Sequence, residues 1–217
     1  MRAFSAFLDI LFPPRCVFCR KFMKSSREPI CPDCLKTLPY TTGGGEKTGD
    51  FFTVCVAPLY YEGTVREALL RYKFKQATGY AQPFGRLLAR CVRENLAGRY
   101  DLISWVPLSK KRLKERGYDQ AMLLACAAAL ELDDVAVSTL EKHIHVEKQS
   151  AMGSAEKRRA NISGAYRVED PELIAGKRIL LIDDIVTTGS TLSECARTLL
   201  SAGASEVLCA AVARTRD

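Results

Sequence analysis

The 217-residue sequence has no apolar run long enough to cross a bilayer, no internal repeat and no low-complexity tract, so membrane-embedded and filamentous classes are set aside at once. Histidine is scarce. The two present, His143 and His145, have no matching ligands nearby in sequence and read as surface residues, so neither a histidine metal site nor a histidine base is expected. The first apolar stretch, Phe4, Phe7, Leu8, Ile10, Leu11 and Phe12, is too short to span, contains Asp9 and lacks a small-residue cleavage site. An amphipathic helix packed on the body is the expectation there.

What the chain does have is an ordinary soluble composition, 47% hydrophobic and 26% charged, with a formal net charge of +7 and a pI near 9.0. Such a balance favours an anionic partner (nucleic acid, a membrane surface or a phosphorylated small molecule) or else a solvated basic surface. Nine cysteines would suit a secreted protein, but the number is odd and four form two C-x-x-C pairs, which points to reduced thiols, metal and a cytoplasmic location.

Those pairs are Cys16-Val-Phe-Cys19 and Cys31-Pro-Asp-Cys34. Each short turn can aim two sulfurs at one tetrahedral ion, and four soft ligands select zinc with no coordination position left open for catalysis. A segment of this length has too little core to fold unaided, so the metal would supply much of its stability. Phe18, Phe22 and Tyr40 lie close by and read either as a miniature core or as platforms for stacked bases. Cys55, Cys91, Cys126, Cys195 and Cys209 fall in apolar patterns and are assigned no chemistry.

A composition break at Thr41–Gly49, with Gly43, Gly44 and Gly45 in succession, reads as a linker or mobile loop, and the chain divides into a metal-binding domain over 1–48 and a second domain over 49–217. Beyond the break, apolar runs alternate with helical stretches, the pattern of a βαβ architecture with a parallel sheet. One strand is expected over Phe51–Tyr61. Helical spacing follows at Val65, Ala68, Leu69 and Tyr72, and again from Ala81 to Val92. Leu102–Val106 is a strand closed by Pro107, Gln120–Leu130 a helix, Arg178–Ile182 a strand, Thr191–Ser201 a helix and Val207–Val212 a buried strand.

The most informative stretch is Ile179-Leu-Leu-Ile182-Asp183-Asp184-Ile185-Val186-Thr187-Thr188-Gly189-Ser190-Thr191. It reads as a buried strand, two acids, a hydroxyl-rich turn and a helix. In an open α/β sheet, ligands sit beyond the carboxyl ends of the strands, where the next helix presents unpaired N–H groups. Thr187, Thr188, Ser190 and Thr191 add hydroxyls and Gly189 permits close approach, which suits a phosphate. Adjacent carboxylates beside a phosphate make sense if they accept hydrogen bonds from a sugar diol or help hold a divalent cation. Earlier in the chain, Lys110, Lys111, Arg112, Lys114 and Arg116 follow another strand and form a basic loop at the same sheet edge. Stabilisation of a leaving pyrophosphate, a solvated loop and contact with a nucleic-acid backbone are all open to it.

Four apolar residues, two acids and T-T-G-S-T resemble the phosphoribosyl-pyrophosphate signature of type I phosphoribosyltransferases. The ordered set Tyr61-x-Gly63-x-x-Arg66, Lys73-Phe74, Val106-Pro107-Leu108, Arg112-Leu113-x-x-Arg116-Gly117-Tyr118-x-Gln120-Ala121, Gln149, Arg158-x-x-Asn161 and the acidic turn, with the cysteine-rich start, is similar to the ComF/GntX family. That resemblance implies an α/β type I phosphoribosyltransferase-like parallel sheet flanked by helices, preceded by a double zinc ribbon with zinc on Cys16, Cys19, Cys31 and Cys34. It implies catalytic Asp183 and Asp184 at the ribose hydroxyls, Thr187, Thr188, Gly189, Ser190 and Thr191 at the 5′-phosphate, and Lys110, Lys111, Arg112 and Arg116 at pyrophosphate. Phosphoribosyl pyrophosphate with Mg²⁺ would be the ligand and a pentosyl transfer the reaction, in a protein of DNA uptake and natural competence. A non-catalytic protein that handles single-stranded DNA or keeps the pocket as a sensor, with DNA-uptake machinery proteins as partners, and an assembly factor whose N-terminal module docks a helicase-like or membrane partner are the other readings. The acceptor is unassigned. The chain departs from the family pattern at Lys142, Ile144 and Val146, ahead of Gln149.

Overall fold

The computed structural model describes residues 13–25, 27–143 and 164–216; the helix expected over residues 4–12, His145, Gln149, Arg158 and Asn161 lie outside them. In chain order the regular elements are α1 (Pro32–Thr37), β1 (Cys55–Val56), β2 (Leu59–Tyr60), α2 (Gly63–Phe74), α3 (Ala81–Leu96), β3 (Leu102–Trp105), α4 (Lys110–Arg116) and α5 (Gln120–Glu131). They continue with β4 (Leu140–Lys142), β5 (Tyr166–Val168), α6 (Pro171–Ile174), β6 (Arg178–Val186), α7 (Ser190–Ser201) and β7 (Glu206–Arg214).

The βαβ pattern yields a parallel sheet. β7 lies at its centre, with β1 and β2 on one side and β6 then β3 on the other. Strands buried on both faces read as continuous apolar runs, which is why Val207–Val212 shows no alternation. The single strand expected over Phe51–Tyr61 is two short ones. Pro58 has no N–H to give the ladder, and Ala57 N donates instead to Gly44 O at 2.8 Å.

One face of the sheet packs Leu180, Ile182, Leu208, Ala210 and Val212 under α2, α3 and α5. The other packs Ile179, Leu181, Val207, Cys209 and Ala211 under α7 and the antiparallel β4–β5 pair. α3 and α5 approach closely because α3 has Gly85 at the crossing: a Cβ there would lie 2.6 Å from Ala127 Cβ.

The glycine-rich segment is not a free linker. Lys47 and Cys55 exchange both backbone hydrogen bonds, and the buried Arg214 reaches back from β7 to Gly45 O and to Glu46 O, the latter at 2.9 Å. Composition suggested high ordering entropy, but a buried guanidinium demands acceptors, and these carbonyls supply them. The basic loop is also more ordered than expected: Lys110–Arg116 is a helix, capped by the Ser109 hydroxyl and closed by Gly117.

Candidate functional site

The four-cysteine cluster forms from two tight turns that meet. Cys16 N donates to Lys21 O, Val17 N donates to Pro29 O, and Cys31 caps the first turn of α1 so that Cys34 faces the same point. The four sulfurs lie within 4.8 Å of one another, with Cys19 and Cys31 at 3.6 Å. A tetrahedron with zinc–sulfur bonds of about 2.3 Å has edges of roughly 3.8 Å, so the donor set fits zinc in size and in softness. Burial pushes the Cys16 thiol up, but N–H groups of Cys31, Cys19 and Phe18 outweigh it and bring the pKa down to about 7, favouring the thiolate that a metal needs.

This hairpin is built into the main core. Phe18 is 0% exposed and meets Phe84 of α3 at 5.8 Å between ring centres, while Arg71 of α2 donates to Val17 O at 3.0 Å and Phe18 O at 2.7 Å. Arg20 adds a hydrogen bond to Tyr80 Oη at 2.8 Å. Phe18 is therefore core and not a stacking platform; Phe22, 59% exposed under the Arg15 guanidinium, and Tyr40 remain on the surface. Cys126, read from its apolar helix as a buried hydrophobe, is exposed.

The same last turn of α2 also reaches the acidic turn, through Lys73. β6 continues through both acids to Val186, so alternation sends Asp184 to the side of Leu180 and Ile182 and Asp183 to the side of Ile179 and Leu181. The buried Asp184 carboxylate is held by Lys73, from the last turn of α2, at 2.9 Å. Asp183 has no ion pair at that distance among the described residues; burial first, then the charge of Asp184, raises its pKa to about 7, against the pull of Lys73.

Past Val186 the chain turns through Thr187 and Thr188 to Gly189, whose φ of +78° is the left-handed region that suits glycine. A Cβ at Gly189 would also meet the Phe52 ring at 3.3 Å. The N-cap Gly189 has no side chain to cap α7, and Ser190 N makes only a long 3.4 Å hydrogen bond to Thr188 Oγ1, so the helix start faces a small cup lined by Asp183 and residues 185–192. Thr188 Oγ1 and Ser190 Oγ lie 2.9 Å apart at its rim.

The basic helix α4 follows β3, the strand beside β6, and so reaches the same edge of the sheet. Among the described residues no carboxylate lies at ion-pair distance from Lys110, Lys111 or Arg112. Arg116 is engaged elsewhere: it donates to Gln120 Oε1 at 2.6 Å and covers the Phe74 ring. Lys142 and Tyr166 complete the approach to Asp183, with Lys142 Nζ donating to Tyr166 Oη at 2.9 Å and Arg112 near enough to disfavour the lysine's charge.

Sequence reasoning assigned no role to Lys73, Lys142 or Phe52. Lys73-Phe74 carried part of the family resemblance, but its partner is 111 positions away and no local spacing announces the pair. Lys142 offered one usable signal, a polar residue on the same strand face as the buried Leu140.

The parallel sheet, the cup at the head of α7 and the cysteine cluster together define an α/β domain of phosphoribosyltransferase type behind a zinc ribbon. Residues 119–217 match the phosphoribosyl transferase domain family and residues 7–49 the double zinc ribbon domain family. The chain is similar to ComF-type competence proteins: it is 27% identical to competence protein F of Haemophilus influenzae, over 89% of this chain and 93% of that one. It is 28% identical to competence protein ComFC of Streptococcus pneumoniae, over 88% and 84% of the two chains. The DNA utilization protein YhgH of Salmonella typhi is 33% identical over 66% of this chain and 64% of that one.

Proposed function

We propose that the protein binds phosphoribosyl pyrophosphate at the Asp183–Thr191 turn and transfers its ribosyl group to an acceptor, in support of DNA uptake or use. The observation that carries this reading is the meeting, at one sheet edge, of a helix start whose N-cap is a glycine, two adjacent acids, and Lys110, Lys111 and Arg112 with no carboxylate partner among the described residues. N–H groups of α7 and the hydroxyls of Thr187, Thr188, Ser190 and Thr191 would hold the 5′-phosphate, with Gly189 permitting close approach. Asp183 and Asp184 would accept hydrogen bonds from the ribose hydroxyls. Asp183 would be the carboxylate to hold Mg²⁺, a hard cation that would offset the negative charge of the donor. As the bond from the anomeric carbon to pyrophosphate breaks, the leaving oxygen keeps the electron pair and Lys110, Lys111 and Arg112 neutralise it; the acceptor then bonds to the anomeric carbon. Arg116, tied to Gln120, would hold α4 in place until a ligand draws it away.

Calorimetric titration of the zinc-loaded chain with phosphoribosyl pyrophosphate, with and without Mg²⁺, tests this. Binding should vanish in the Asp183→Asn, Asp184→Asn variant, and retention of full affinity there would sink the assignment.

A second reading has its own support in the net charge of +7 and in relatives named for competence and DNA utilization. Single-stranded DNA would lie across the basic surface beside the zinc ribbon, with Phe22 and Tyr40 as exposed aromatics. Its affinity should fall steeply with added salt, and a salt-independent affinity would remove it. Both activities would suit a cytoplasmic protein; among the described residues no helix is long and apolar enough to cross a membrane.

A further inference from the structure

Beside the basic helix lies a cavity of about 410 Å³ between α4, the start of α5 and β4. Most of its wall is apolar, from Pro107, Leu108, Leu113, Tyr118, Met122 and Leu140. The polar groups in it are few and differ in kind. Asp119 is used up internally, with its two carboxylate oxygens accepting from Leu108 N at 2.9 Å and Met122 N at 3.1 Å, so it braces the wall. Glu141 is paired with Arg167. Lys110 and Lys142 are left, and among the described residues neither has a carboxylate at ion-pair distance. Lys142 is much the more enclosed: burial pulls its pKa down, and its hydrogen bond goes to the neutral Tyr166 hydroxyl.

A half-buried ammonium with no carboxylate partner among the described residues favours an anion, and an aliphatic and aromatic wall favours a flat apolar body. Pyrophosphate supplies the first and not the second, since such a wall would strip its water without replacing it. Lys110 of the basic helix lines the same cavity, which sets it beside the proposed pyrophosphate contacts.

We propose that this cavity is the acceptor subsite and that it takes a small aromatic or heteroaromatic carboxylate, its ring against Leu113, Tyr118 and Met122 and its carboxylate on Lys142. The proposal rests on the phosphoribosyl reading for the word acceptor, though not for binding itself. In the transfer, a ring or exocyclic nitrogen lone pair forms the bond to the anomeric carbon while pyrophosphate leaves with the electrons of the broken bond. Any proton on that nitrogen passes to solvent.

Calorimetric titration of the full zinc-loaded chain with benzoate, nicotinate and orotate, against benzamide and nicotinamide, tests it with and without phosphoribosyl pyrophosphate and Mg²⁺. At least one acid should bind at least about tenfold more tightly than the amides, the worth of one hydrogen bond to a charged group. Lys142→Met should erase that preference. Leu113→Trp, at a position 42% exposed where a larger ring is tolerated, should block the acids and leave phosphoribosyl pyrophosphate binding intact. Acid binding without any phosphoribosyl pyrophosphate binding would support the cavity and overturn only the transfer reading. Equal affinity for acids and amides, or failure of every acid on a chain that binds phosphoribosyl pyrophosphate, would overturn the proposal.

Discussion

The cysteine hairpin and the acidic turn both meet the last turn of α2, through Arg71 and Lys73, and the chain treats their polar groups in opposite ways. Around Cys16–Cys34 the backbone groups are consumed internally: Val17 and Phe18 carbonyls accept from Arg71, and the Cys31 and Cys34 amides face sulfur. Around Asp183–Thr191 they are engaged more loosely, with only a 3.4 Å hydrogen bond from Ser190 N to Thr188 Oγ1 at the helix start and a Thr188–Ser190 hydroxyl pair at the rim. Satisfied donors and a 0% exposed Phe18 are the signature of structure; loosely engaged donors beside an acid whose charge the fold disfavours are the signature of a ligand site. Helix α2 joins the two, with Arg71 toward the cysteines and Lys73 toward Asp184.

The comparison breaks most violently if the hairpin proves independent of its metal. Cys31→Ala should abolish stoichiometric zinc and lower the melting temperature by roughly 10 °C or more, since metal binding there is folding free energy. Elemental analysis and calorimetry on wild type and variant would decide, and an unchanged melting temperature would mean that Phe18 and Arg71 suffice without zinc. Arg71→Met sharpens the same point with a smaller effect. Loss of two charged hydrogen bonds to carbonyls should cost about 2–4 kcal/mol, with zinc retained and amide exchange quickened around residues 16–20. Uniform protection in that variant would show that α2 does not brace the hairpin.

How much of this could be read from the sequence follows the same division. The cysteine spacing and the run from Ile179 to Thr191 are local patterns, so the four-sulfur cluster and the strand, turn and helix were all legible within a few residues. The family resemblance extended that reading to the sheet. What escaped it depended on distance along the chain: Arg214 fixing the Gly45 and Glu46 carbonyls, Lys73 reaching Asp184, Lys142 enclosed by Tyr166. Composition marked Gly43–Gly45 as loose because nothing in the segment shows that a buried guanidinium 169 positions later needs its oxygens. Exposure was similarly opaque for Cys126, where a helix apolar nearly all round gives no phase to say which side meets solvent.

The open site makes a pH prediction that the hairpin does not. With Asp183 raised to about 7 in the folded protein, the native state holds a proton that the unfolded chain has released by about pH 4, so this residue subtracts stability progressively from pH 4 to 7 and by a constant amount above. Asp183→Asn should therefore match the wild type near pH 4 and exceed it by about 2 kcal/mol at pH 8, a figure reduced for the side chain's partial exposure. Phosphoribosyl pyrophosphate with Mg²⁺ should bind the wild type better above pH 7, where the carboxylate is charged. Parallel stability-against-pH curves for the two proteins across that range would contradict the disfavoured charge of Asp183.

The smallest effect concerns the turn itself. Gly189→Ala puts a side chain at φ +78° with its Cβ 3.3 Å from the Phe52 ring, which should cost about 1–2 kcal/mol of stability. The fold can absorb that, because Phe52 is a single ring packed against a turn. The donor phosphate cannot share the adjustment so easily, since any rotation that relieves the alanine redirects the first N–H groups of α7. Affinity for phosphoribosyl pyrophosphate should fall further than stability does, and adding Phe52→Leu should restore stability without restoring affinity. If both recover together, the Phe52 contact alone sets the geometry of the turn and the left-handed backbone at Gly189 adds nothing to it.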